Sequence, residues 1–149
     1  KDTPKGYDRG KFVVKLGRSP NNNKKDTPMS DIIIYSLALA LAQIWLLPMF
    51  LNLNNTAWLL SNRDDAVDTS VMHQRAARAS ANLQASLPAF LALCLLSMQM
   101  DIDITTSATY WLGLRIIYIP LYLFGISMLR SLSWMASVAC MVHMAMQLV

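Results

Sequence analysis

Four apolar stretches, each long enough to cross a bilayer, take up most of a chain of 149 residues. They run over about 32–53, 74–100, 106–128 and 132–149. A helix rises 1.5 Å per residue, so about 20 residues cover a hydrocarbon layer of about 30 Å. Hydrophobic residues make up 54% of the chain, with a mean hydropathy of +0.34. That leaves too little polar surface to coat a soluble core of this size. The expectation is therefore an all-α integral membrane domain over 29–149, a bundle of four spanning helices. The last two stretches are joined by a very short link, which predicts an antiparallel hairpin. Pro48 is expected to kink the first span near one end. Ala76, Ala77, Ala79, Ser80 and Ala81 permit close helix approach in the second.

Charge is placed unevenly. Eight of the thirteen Lys and Arg lie in residues 1–25, and the nine acids are all Asp. Residues 1–28 are polar and basic, with "KDTP" at 1–4 and again at 25–28. This segment reads as a basic leader, appended or disordered, and such segments should not be forced into a fold. Beyond residue 30 the basic residues are Arg63, Arg75, Arg78, Arg115 and Arg130. Without the leader, Asp31, Asp101 and Asp103 mark one side of the membrane, and Arg63, Arg75, Arg78 and Arg130 the other. The positive-inside rule then places the long loop between the first two spans in the cytoplasm. Counting the leader reverses that orientation, so it is left out.

The polar residues inside the spans carry the functional signal. Arg115 sits about ten residues into the third span, where an arginine costs roughly 2.5–3.5 kcal/mol on insertion scales. Such a residue faces the bundle interior, a partner or a water-filled cavity. Tyr118 and Tyr122 follow at i+3 and i+7 on the same helical face, and Arg130 is expected to close that helix at its cytoplasmic end. In the second span Arg75, Arg78 and Asn82 form an i, i+3, i+7 stripe. Antiparallel packing brings both stripes to the cytoplasmic half as a cationic pocket with phenol hydroxyls, suited to an anionic polar ligand.

Taken singly, each residue has a plainer role. Arg75 and Arg78 can anchor lipid headgroups, Asn82 can bridge helices, and the tyrosines can pack. Trp45, Trp58, Trp111 and Trp134 read as interfacial belt residues. Cys94 and Cys140 read as small buried hydrophobes. His73 and His143 lie in different segments with no ligand cluster, so no metal site is expected.

Two stretches together resemble the membrane-associated proteins in eicosanoid and glutathione metabolism, the MAPEG family. "RAARASANLQASLPAF" (75–90) is similar to that family's second helix, an R-A-x-x-N-x-x-E pattern ahead of an apolar run with proline. "LRIIYIPLYLFGISMLRSLSW" (114–134) is similar to its third helix and the turn that follows. The resemblance spans about 30–149 and fits a small bacterial-type member. It implies a homotrimer with sites between subunits in the bacterial inner membrane, and glutathione as co-substrate. It further implies that Arg78 and Asn82 contact glutathione, that Tyr118 and Tyr122 orient it with Arg115, and that Arg130 stabilises its thiolate. The partners implied are other copies of the chain, membrane lipid and an apolar small-molecule substrate; no nucleic acid is expected.

The chain departs from the pattern at one place. Ala85 stands where the family has Glu, and Ser86 follows. Losing that Glu makes the pocket more one-sidedly positive, and Gln84 points about 100° away around the helix. A thiol is only about 3% ionised at pH 7. Making the thiolate the majority form takes roughly 2.7 kcal/mol of differential stabilisation, which one guanidinium in a partly dry site can supply. The functional reading is a glutathione-dependent transferase or peroxidase acting on apolar electrophiles from the bilayer. The alternatives are a non-catalytic relative binding an anionic lipid or metabolite, and a structural membrane subunit. A transporter fits least, since four spans show no inverted repeat.

Overall fold

A computed structural model describes residues 28–51 and 70–149. The leader short of Pro28 lies outside the described residues, as do Trp58, Arg63 and the acidic loop. The described chain forms four helices: α1 (Met29–Leu51), α2 (Val71–Met100), α3 (Thr105–Leu123) and α4 (Ser127–Gln147). By length and composition, α1 and α2 are long and apolar enough to cross a membrane. The apolar runs of α3 are diluted by Arg115 and three tyrosines, and those of α4 by four serines, Arg130 and His143.

The helix ends follow local chemistry. α2 begins three residues earlier than its hydropathy suggests, because the Ser70 hydroxyl caps it by accepting from the His73 N–H at 3.2 Å. It ends on Asp101 in the left-handed region (φ 57°), with the Ile102 N–H returning to the Ser97 carbonyl at 3.0 Å. Just ahead of Pro48, α1 widens into a π turn over Ala42–Leu46. The proline offers no N–H and its ring presses on the carbonyl four residues back, so a wider turn relieves the strain where a kink was expected.

The expected boundary between the last two helices is corrected. α3 stops at Leu123, about five residues early, and α4 starts at Ser127. The stop is a Schellman motif. Gly125 has φ 75°, its N–H bonds the Tyr122 carbonyl at 3.2 Å, and the Ile126 N–H bonds the Leu121 carbonyl at 3.0 Å. Arg130 consequently sits in the opening part of α4 and does not close α3.

Pairings along the helices show that neighbours run antiparallel. Between α2 and α3, Arg75 meets Leu123, Asn82 and Ser86 meet Arg115, and Phe90 meets Trp111. Between α3 and α4, the Ser133 hydroxyl bonds the Leu114 carbonyl at 2.9 Å, and Ser107 lies 2.9 Å from His143 Nδ1. The α3–α4 hairpin is the most extensively packed pair, and α1 rests on α2 and α3. The buried core gathers Ile32, Leu83, Phe90, Cys94, Ile104, Trp111, Met144 and Leu148. Trp111 is corrected by this packing: it is wholly buried and stacked on Phe90 at 3.7 Å between centroids, not at an interface. Trp45 is exposed, and Trp134 is partly exposed beside the site described next.

Candidate functional site

The centre of the polar end is a buried arginine held entirely by neutral groups. Arg115 is 2% exposed; its Nη1 donates to Asn82 Oδ1 at 2.6 Å and its Nη2 to Ser86 Oγ at 2.7 Å. Both acceptors project from α2 at i and i+4, one above the other on the face turned to α3. Ser86 Oγ lies 3.0 Å from the Leu83 carbonyl and 3.3 Å from the Asn82 carbonyl, to which it donates. The guanidinium also lies over Trp111 and Tyr118, at 5.4 and 5.8 Å from the ring centroids. Among the described residues its Nε has no hydrogen-bond partner.

In front of this network lies a cavity of about 330 Å³, lined by Asn82, Tyr118, Tyr122, Arg130, Ser131, Trp134 and Met135. Tyr118 and Tyr122 meet edge to face at 5.5 Å, and the Arg130 guanidinium lies 4.7 Å from the Tyr122 ring centroid. The early start of α4 makes this possible. Arg130, placed one turn into α4, reaches back across the hairpin over the last turn of α3. Among the described residues none of those lining the cavity is acidic, so the field inside is positive, and the adjacent N-terminal end of α4 adds to it.

The structure thus brings Asn82, Tyr118, Tyr122 and Arg130 to one cavity. Arg115 lies behind the wall and does not line it. Arg78 is exposed on the outer side of α2, away from the lining. Arg75 is half-buried and donates from Nη1 to the Leu123 carbonyl at 3.1 Å, tying α2 to the end of α3. Gln84 turns to Ser80, donating from Nε2 at 2.9 Å. Ser131 is not singled out by the sequence, and Trp134 reads there only as an interfacial belt residue. They follow Arg130 at i+1 and i+4 on α4 and are themselves exposed, so their place beside the cavity is defined only once the helix start is known.

A second cavity of about 430 Å³ continues along α4, lined by Trp134, Met135, Val138, Ala139, Val142, His143 and Met146. Trp134 and Met135 belong to both cavities. A polar chamber and an apolar groove therefore adjoin along one helix.

The sequence model of the MAPEG family matches residues 32–149. The chain belongs to the MAPEG family. No curated protein matches it, and no solved structure does. MAPEG membership makes this a membrane protein of that family, and the network, the cavity and all the described helices but the first three residues of α1 lie within the matched span. The two stretches that carry the family likeness, 75–90 and 114–134, supply six of the cavity's lining residues from Asn82 to Trp134 and also the Arg115 network behind them.

Proposed function

We propose that this MAPEG protein binds glutathione in the Asn82–Tyr118–Tyr122–Arg130 cavity as co-substrate and transfers its thiol to, or reduces, apolar electrophiles drawn from the bilayer. The observation that supports it is the Arg130 guanidinium against the Tyr122 ring, in a cavity whose lining also includes hydroxyl and amide groups beside Trp134 and Met135. A volume near 330 Å³ is within the range of small-molecule sites, about 300–1,000 Å³. Arg130 is the group that favours the thiolate over the thiol, through a charge-assisted hydrogen bond. The Tyr118 and Tyr122 hydroxyls and the Asn82 amide hold the peptide. In a transfer, the thiolate sulfur forms the new bond to the electrophilic carbon, whose displaced electron pair takes a proton from water. The adjoining apolar groove supplies the electrophile's route from lipid.

All four helices span the membrane in this reading, with the arginine-bearing end in the cytoplasm and three copies assembled around the sites. Exposed apolar side chains on every helix, among them Ile34, Leu95, Ile116 and Leu132, suit lipid or neighbouring copies. Arg78, turned outward on α2, is then placed to reach the site of an adjacent copy. A trimer would have a protein mass near three times 16.7 kDa, readable by light scattering with detergent subtracted.

The testing measurement is the melting temperature of detergent-purified protein with and without millimolar reduced glutathione, beside Arg130→Ala. Glutathione at 100 times its dissociation constant should stabilise the fold by about 2.7 kcal/mol, and Arg130→Ala should abolish the shift. No shift at saturation rules glutathione out. The second reading, a non-catalytic relative holding an anionic lipid or metabolite, is favoured by Ala85 in the place of the family Glu. Lipid retained through purification and displaced by Arg130→Ala would support it.

A further inference from the structure

The hydrogen-bond polarity around Arg115 determines what the cavity can recognise. A guanidinium has five N–H donors and no acceptor. The Asn82 side-chain atom 2.6 Å from Arg115 Nη1 must therefore be the carbonyl oxygen, because the amide NH2 in that place would set donor against donor. The same rule makes Ser86 Oγ an acceptor from Nη2, which commits its proton to the backbone carbonyls of Leu83 and Asn82. Neither side chain can turn over without stranding a buried charge. Asn82 lines the cavity, and with its oxygen anchored on Arg115 its NH2 is held as the donor end of the side chain. The cavity's other polar groups are the Arg130 guanidinium and the hydroxyls of Tyr118, Tyr122 and Ser131. Of these, Arg130 and the two tyrosines can donate, while the Ser131 hydroxyl already gives its proton to the Ser127 carbonyl at 2.9 Å.

We infer that Arg115 is a positioning residue: by holding the Asn82 oxygen it turns the Asn82 amide into a fixed donor, and this selects a ligand that presents a carboxylate at that point. The inference rests on the cavity being the ligand site, and it deepens the glutathione reading by assigning the determinant of carboxylate recognition. It is not tied to glutathione, since a fatty acid headgroup offers the same chemistry. Arg115 acts without touching the ligand, which explains why a buried arginine belongs behind a pocket it does not line.

The experiment is calorimetric titration of detergent-purified wild type, Asn82→Asp and Arg115→Met with two matched ligand pairs. One pair is reduced glutathione and its diethyl ester; the other is decanoate and decanamide. Asn82→Asp keeps an oxygen for Arg115, and so keeps the fold, but replaces the donor with an anionic acceptor. Wild type should prefer the carboxylate in at least one pair. Asn82→Asp should bind that carboxylate about tenfold or more weakly, the loss expected for one hydrogen bond to a charged group, with a melting temperature no lower than wild type. Arg115→Met leaves the lining intact but frees the amide to rotate, and should lose several-fold of the carboxylate preference; should it not fold, Asn82→Asp decides alone. Carboxylate affinity in Asn82→Asp within about twofold of wild type would overturn the inference, as would an unchanged preference in folded Arg115→Met or no carboxylate preference in wild type. Glutathione bound equally by wild type and Asn82→Asp leaves the glutathione reading intact and removes this one. Decanoate bound in an Asn82-dependent way, with glutathione not bound, does the reverse.

Discussion

Ser86 holds one of the two Nη edges of a guanidinium that has no access to water. Removing its hydroxyl leaves Arg115 Nη2 without its acceptor in a buried site, and the cost of stranding such a group is about 1–3 kcal/mol, more where it is charged. Ser86→Ala should lower stability by at least that amount, measured by a detergent melt or by equilibrium unfolding in mixed micelles. In an Arg115→Met background the same change should cost much less, because the methionine no longer asks for the hydrogen bond. Equal losses in the two backgrounds would mean that Ser86 contributes through packing alone. The residue scale also accounts for the chain's tolerance of Ala85. Ala85 is exposed on α2, and the half-buried partners of Arg115, Asn82 and Ser86, are its neighbours one turn back and one residue on.

At the scale of the element, the α3–α4 turn decides where Arg130 stands. Gly125 adopts φ 75°, a conformation costing an L-residue about 1–2 kcal/mol. A Cβ there would lie 2.8 Å from Arg75 Nη1 and 2.9 Å from Arg75 Cζ. The same arginine donates to the Leu123 carbonyl, one of the α3 carbonyls left without an intrahelical donor, and its charge meets the negative end of the helix. Gly125→Ala should therefore destabilise by more than the backbone term alone, since Arg75 must also leave its carbonyl. Arg75→Ala alone should cost about 1 kcal/mol. The double variant should be more stable than the sum of the two losses predicts, by about 0.5 kcal/mol or more; strict additivity would show that the arginine does not press on the turn.

For the whole molecule, the described charges separate by end. Asp31, Asp101 and Asp103 lie at the N-terminus of α1 and the α2–α3 turn, while Arg75, Arg78 and Arg130 lie at the other end. Orientation should follow those arginines. A cysteine placed at Asp103, in a chain with Cys94 and Cys140 replaced, should react with an impermeant maleimide added outside intact cells. A cysteine placed at Met128 should react only after lysis. A chain starting at Met29 should give the same pattern; an inverted pattern on losing residues 1–28 would make the basic leader the topological determinant.

The sequence alone determined the helical class, the placing of the helices to within a few residues outside the last turn, and the family, because hydropathy over 20 residues and the spacing of Arg115, Tyr118 and Tyr122 are local properties. It also foretold that two polar stripes would meet, since antiparallel neighbours must bring 75–82 to 115–122. Tertiary structure alone decided which of those residues form the cavity wall. Arg115 and Arg78 carry the same charge and fall on equally plausible stripes, yet one is sealed behind Asn82 and the other faces outward. That difference rests on how far each helix is rotated against its neighbour, which no single helix encodes. Trp111 was misplaced for the same reason: an aromatic near a helix end looks interfacial until Phe90 arrives from the facing helix to bury it. The place of Arg130 turned on Gly125, whose left-handed turn ended α3 early because two backbone hydrogen bonds and an arginine from α2 closed around it.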